Sequence, residues 1–243
     1  MFPIRDNVRA RSFPIVNIGL IAVNVLVFLF ETSLDPSQLD KLINALGATP
    51  AQISLYRPLS FISLLTSMFL HGSWFHLISN MWALFIFGDN VEDRMGPVRY
   101  LAFYLFAGIV AGLVHTFVIT EYLGESAHAA LLPTVGASGA IAGVLGAYLV
   151  LYPRARVITL ILVIILPWFI EIPAFLYLGF WFVTQLFPGL LSLGAVGDLG
   201  GAMGGVAWWA HIGGFLFGML MVRLFARSRR VYRRWHQDEY WPW

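Results

Sequence analysis

Ser138 stands in the sequence Gly136-Ala137-Ser138-Gly139, among small residues, with a further glycine at Gly143. At the start of a helix such a serine meets free backbone N–H groups and the positive end of the helix dipole, a setting that suits an oxyanion. An alcohol attacks poorly until a neighbouring base takes its proton. His211, in Ala210-His211-Ile212-Gly213-Gly214, offers an imidazole that is neutral near pH 7 and can accept and return that proton. Gly214 and Gly218 repeat the spacing of Gly139 and Gly143, so close approach of two small-residue helix faces would carry Ser138 to His211. Taken singly, each pattern also reads as helix packing. The pair together points to nucleophilic chemistry.

His76 and Asn80, four residues apart, share one face of a helix. With the Ser138 backbone N–H, their side chains could donate hydrogen bonds to a developing oxyanion. An interhelical polar clamp or a metal site are the other readings of this pair. No carboxylate has matching depth and spacing near His76 and His211, so no metal is expected, and no cofactor. His71, just before the helix, suits a water entrance. His115, His128 and His236 lack a comparable context and read as structural or solvated.

The elements that must position these groups are membrane helices. The 243 residues are 59% hydrophobic and 12% charged, too few charges for an ordinary soluble domain. No cysteine is present, which excludes disulfides, thiolate metal sites and a cysteine nucleophile. Six candidate bilayer-spanning runs fall at about 14–31, 74–91, 98–119, 136–152, 173–187 and 208–225, the fourth and fifth of them short. The first follows Arg5, Arg9 and Arg11 as a secretory signal would, but it is too long and lacks a cleavage site, so it reads as a retained helix. Val157–Ile170, interrupted by Pro167, reads as a half-buried or interfacial segment. The class expected is an all-α, polytopic six-helix bundle. Residues 1–13 form an N-terminal segment, 14–225 the membrane domain with its motif-bearing core at 60–225, and 226–243 a basic, aromatic tail that anchors on anionic lipid.

Six spans place thirteen of the fifteen basic residues on one side and leave only Lys41 and Arg57 on the other. This bias predicts a multi-pass protein of the cell (plasma or inner) membrane with both termini cytoplasmic. The basic residues mark topology, so nucleic acid is not implied. The Ser138, His211 and His76 patterns all begin even-numbered spans. They therefore share one depth, just below the external surface. A loop as long as that at about 32–73 usually has local structure or a function of its own.

Three motifs carry a resemblance. Met68 to Met81, containing His71-Gly72-Ser73-Trp74-Phe75-His76 and Asn80, resembles the second-helix signature of rhomboid proteases. Val135 to Gly143 is similar to their nucleophile motif, and Ala210 to Gly218 to the motif of their last core helix. Gly88 to Gly96 resembles the turn after the family's second helix. The resemblance implies a Ser–His dyad hydrolysing peptide bonds in or near transmembrane segments of membrane proteins, in a water-filled cavity. It puts Ser138 as nucleophile, His211 as base, His76 and Asn80 at the oxyanion, and Gly136 in the nucleophile loop. It also implies that the fifth helix and its following loop, here about Pro173–Gly201, gate substrate entry, with the glycine-rich Gly189–Gly205 as a mobile cap. Where some members carry a tyrosine packed on the base, this chain has Ala142, and the sequence names no replacement. The alternatives are a non-catalytic rhomboid-like protein that binds membrane clients, and a small transporter or channel. Oligomeric state and natural substrate are not encoded in any of these motifs.

Overall fold

The computed structural model describes residues 2–124, 127–163, 166–194 and 206–227. Its helices are α1 (Ile15–Ser33), α2 (Pro36–Leu46), α3 (Ile62–Thr66), α4 (Trp74–Met95), α5 (Pro97–Val118), α6 (His128–Leu131), α7 (Ser138–Leu151), α8 (Ala174–Gly194) and α9 (Trp208–Phe225). Helices occupy all six stretches expected from the apolar runs. By length and apolar content, four of them can cross a bilayer: α1, α5 with the turn that extends it to Tyr122, α8 and α9. A fifth candidate is the pair Pro58–Phe69 and Trp74–Met95, bent by 86° at the break between them. The fourteen-residue α7 is apolar but short, so these criteria give four or five spans where the sequence predicted six. This is a mostly helical, multi-pass membrane protein.

One part departs from all-α. Strands β1 (Phe2–Asp6), β2 (Arg156–Val163) and β3 (Leu166–Pro173) form an antiparallel sheet in the order β1-β2-β3. The Val157–Ile170 region, expected as an interfacial segment, is thus a hairpin with Val157 opposite Ile172 and Thr159 opposite Ile170. Val157, Ile158, Thr159, Ile161, Ile170 and Ile172 are β-branched, which favours the extended chain. Pro167 sits on β3, an edge strand, where the missing N–H is tolerated. The N-terminal segment is tied down too: Phe2 pairs with Leu160 and Asp6 with Val157, and the Pro3 carbonyl accepts from Trp82 Nε1 at 2.6 Å.

The arginine-rich end of the bundle is closed by carboxylates. Asp93 accepts from the backbone N–H groups of Arg11 and Ser12, and the buried Glu92 accepts from those of Val16 and Asn17 at the start of α1. These acceptors satisfy donors that the first turn of α1 leaves without helical partners. Arg227 N–H donates to the Arg94 carbonyl, bringing the end of α9 to the end of α4. Gly88 to Met95 is continuous helix, and the turn is confined to Gly96, whose φ of 78° is open to glycine.

The long loop has local structure of its own, with α2 and α3 within it. Asp35 caps α2 by accepting from Ser37 and Gln38 N–H, and Thr66 Oγ1 donates to the Leu46 carbonyl. Ala48 and Thr134 exchange backbone hydrogen bonds, and Gly136 N–H donates to the Ser67 carbonyl. The loop therefore props the segment that leads into α7. Buried Glu31, at the end of α1, accepts from the His71 backbone N–H.

Candidate active site

Helices α7 and α9 make the most extensive helix contact in the bundle, and glycine makes it possible. A Cβ on Gly214 would overlap the Gly139 carbonyl oxygen, and one on Gly218 would overlap that of Gly143. The two pairs share one offset, so the helices run parallel with their N-terminal ends together. On the other side of α7, Cβ atoms on Gly139 and Gly143 would fall 2.7 and 2.5 Å from the Ala111 and Ala107 methyls of the antiparallel α5. α7 is thus fixed in depth by backbone contact with α9 on one side and by the alanine methyls of α5 on the other.

That register sets the first residues of α7 beside the first turn of α9. His211 Nε2 lies 2.7 Å from Ser138 Oγ. Ile141 N–H makes the first helical bond, to Ala137, so the amides of Ser138, Gly139 and Ala140 have no helical acceptor. Gly136, at φ 127°, turns the chain into α7. A Cβ there would lie 2.6 Å from His76 Cε1 and 2.7 Å from its Nε2, so the His76 ring rests against Gly136, two residues before Ser138.

His76 and Asn80 occupy the first turns of α4, which begins at the capping Ser73 hydroxyl. One N–H of the Asn80 amide donates to the His76 carbonyl at 2.9 Å, leaving the second available. Ser138, His211, His76, Asn80, Gly136 and Gly139 all line one cavity of about 1090 Å³. Gly143, Gly214 and Gly218 lie outside it, at the helix contact.

Several residues at the site escaped the sequence reading. Gln185 Oε1, on α8, lies 2.7 Å from His211 Nδ1. Where Ala142 leaves no tyrosine, Trp181 of α8 and Trp208 of α9 flank the imidazole, with ring centroids 6.0 and 6.3 Å away. His115, read as structural or solvated, lines the cavity and approaches Thr134 Oγ1 at 3.4 Å. His71 is buried, its ring 5.1 Å from that of His76. A signal for Gln185 was present: it is the only amide side chain in the apolar run of α8, and polar groups at membrane depth are costly. The expected cap is helical as far as Gly194, through Pro188, while 195–205 lies outside the described residues, as does the tail from 228.

Residues 58–228 match the family described as Rhomboid domain. Presenilin-associated rhomboid-like protein, mitochondrial, of Homo sapiens is 30% identical over 227 residues, covering 90% of this chain and 52% of the relative. RHOMBOID-like protein 12, mitochondrial, of Arabidopsis thaliana is 31% identical over 163 residues, 62% of this chain and 46% of the relative. Rhomboid protein 1, mitochondrial, of Saccharomyces cerevisiae is 33% identical over 100 residues, 41% of this chain and 28% of the relative. The chain spans about half the length of the presenilin-associated relatives it matches. These relatives are mitochondrial by name, which overturns the expected plasma or inner cell membrane. The arginine bias reports which helix ends share a side, and it carries no information on which organelle's membrane they cross. With the family matched over most of its length, this chain belongs to the rhomboid family.

Proposed function

We propose that this chain is an intramembrane serine endopeptidase that cleaves membrane proteins in or near their transmembrane segments through a Ser138–His211 dyad. The observation that carries the reading is the 2.7 Å contact of His211 Nε2 with Ser138 Oγ, in a cavity at the N-terminal end of α7. Ser138 Oγ attacks the scissile carbonyl carbon as its proton passes to His211 Nε2. The oxyanion lies against the Ser138 backbone N–H, the His76 ring and the free N–H of Asn80. These donors act in a site of low dielectric, where each is worth about 3–4 kcal/mol in the transition state. Protonated His211 then hands its proton to the leaving amine. Water attacks the acyl-enzyme with the same base, and Ser138 is restored.

Six membrane-crossing helices, with α7 as a short span beneath the cavity, are the topology this mechanism uses. The bilayer holds both the enzyme and its substrates, which are transmembrane proteins. A purified sample reconstituted in liposomes with a synthetic transmembrane substrate tests the reading. Wild type cleaves and is labelled by a serine-reactive fluorophosphonate, whereas Ser138→Ala does neither. Cleavage that survives Ser138→Ala undiminished overturns it. A folded wild type that neither cleaves nor labels favours a client-binding rhomboid protein.

A further inference from the structure

Gln185 lies on α8, 26 residues before the base it touches, and it is 8% exposed. Its amide has two unlike ends, so which end faces His211 decides the proton pattern of the dyad. The rest of the network settles this. Gln185 Nε2 donates to the Trp181 carbonyl at 3.4 Å and to Thr184 Oγ1 at 3.0 Å. Thr184 Oγ1 in turn donates to the same Trp181 carbonyl at 2.6 Å, so its lone pairs face the amide. A carbonyl oxygen and an already-donating hydroxyl can both be met only by the NH2 end. Oε1 is left for His211, and it can only accept. His211 Nδ1 must therefore carry the ring proton, and Nε2 presents its lone pair to the Ser138 hydroxyl.

We propose that Gln185 is a positioning residue that locks His211 in the Nδ1–H tautomer, so that α8 supplies a neutral third member to the Ser138–His211 pair. The inference rests on the proteolytic reading for its consequence, though not for its geometry. A neutral amide fixes ring orientation and tautomer without placing a charge beside the imidazolium. Around the ring, the described lining of the cavity carries His76 from α4, His115 from α5, and His128, with no Asp or Glu. The Trp181 ring lies tilted by 37° at 6.0 Å and the Trp208 ring edge-type at 6.3 Å from the imidazole, while Gln185 meets its Nδ1 edge. In the opposite tautomer, Nε2–H would point at Ser138 and the serine proton would have no acceptor.

Three variants in the full-length protein test this: Gln185→Leu, which keeps the volume and removes the acceptor, Gln185→Met as a second apolar replacement, and Gln185→Glu, which keeps an acceptor and adds charge. Expected for both apolar variants is a fall in kcat on the order of 10- to 100-fold with KM within about twofold, as for other residues that orient a functional histidine. Gln185→Glu keeps activity near neutrality, but the acidic limb of its kcat/KM profile moves up by about one pH unit, because a carboxylate favours the imidazolium. Nitrogen NMR of histidine-labelled protein reads the tautomer directly: His211 is Nδ1–H in wild type and mixed in Gln185→Leu. Unchanged kcat in both apolar variants, or a wild-type His211 protonated at Nε2, overturns the proposal. If Ser138→Ala cleaves as well as wild type, the protease reading falls while the NMR arm still decides the lock.

Discussion

Replacing Gly136 by alanine separates the oxyanion machinery from the dyad. The new Cβ would lie 2.6 Å from His76 Cε1 and 2.7 Å from Nε2. Carbon contacts are comfortable near about 3.5 Å, so the ring must retreat by roughly 0.9 Å. Its room to do so is limited by the buried His71 ring, whose centroid is 5.1 Å away and which itself meets Phe28 edge-on. A hydrogen bond lengthened by about that much is lost. The expected cost is that of one oxyanion donor, about 3–4 kcal/mol, or roughly a 10²- to 10³-fold fall in kcat. Alanine at φ 127° adds a stability cost of about 1–2 kcal/mol, which unfolding in detergent measures separately. Kinetics on a transmembrane substrate, in a cycle with His76→Ala, isolate the cause. His76→Ala alone should lose as much as Gly136→Ala, and the double variant should lose little more, giving a coupling of about 3 kcal/mol. Losses that simply multiply, or a Gly136→Ala enzyme within about threefold of wild-type kcat, would refute the argument that this glycine exists to seat His76.

Two further outcomes follow from contacts far from the reacting atoms. Gly218→Val should force α7 and α9 apart, since its Cβ would overlap the Gly143 carbonyl oxygen. Stability should fall by about 1–3 kcal/mol, and fluorophosphonate labelling of Ser138 should slow; labelling at the wild-type rate would show that the dyad does not depend on this contact. Asp6, in the strand before α1, has its carboxyl pushed up from 3.8 to about 6 by burial, although Tyr148 hydroxyl and Asn90 Nδ2 donate to it. The protonated form is thus favoured in the folded state. Its stabilising contribution is full below pH 3.8 and is lost as pH rises through about 6. Asp6→Asn should flatten that slope in thermal unfolding from mildly acidic to neutral pH, and an unchanged slope would remove Asp6 as its source.

The helical part of the fold was legible because a bilayer imposes one solution on backbone polar groups, and long apolar runs announce it. Ser138, His211, His76 and Asn80 were legible because each sits in a local pattern of glycines or helical spacing. The sheet was not. β1 pairs with a segment some 150 residues away, and Phe2-Pro3-Ile4-Arg5-Asp6 has too little alternation to declare a strand by itself. Val157–Ile170 read as merely apolar, and only its β-branched residues hinted at the hairpin. Gln185 was hidden differently. Its meaning depends on which face of α8 meets α9, and one amide in a helix says nothing of its rotation. The arginine bias, finally, speaks only to which helix ends share a side and carries no information on organelle.

The base is held by two kinds of contact that answer to different forces. Ser138 and His211 ride on helices whose backbones touch at Gly139–Gly214 and Gly143–Gly218, and a close-packed interface of that kind does not stretch continuously. The spacing of the two backbones that carry alcohol and imidazole is therefore set by α7 and α9. In the proposed lock the tautomer depends on α8, which turns Phe180, Val183, Phe187 and Leu190 outward and touches α9 through fewer groups than α7 does. An outward displacement of α8 would thus leave the dyad's spacing intact while removing the acceptor that keeps the Nε2 lone pair aimed at Ser138. A helix that moved to admit a substrate would disarm the base as it opened and rearm it as it closed. If Ser138 attacks peptide bonds as proposed, that attack would wait for α8 to return to His211.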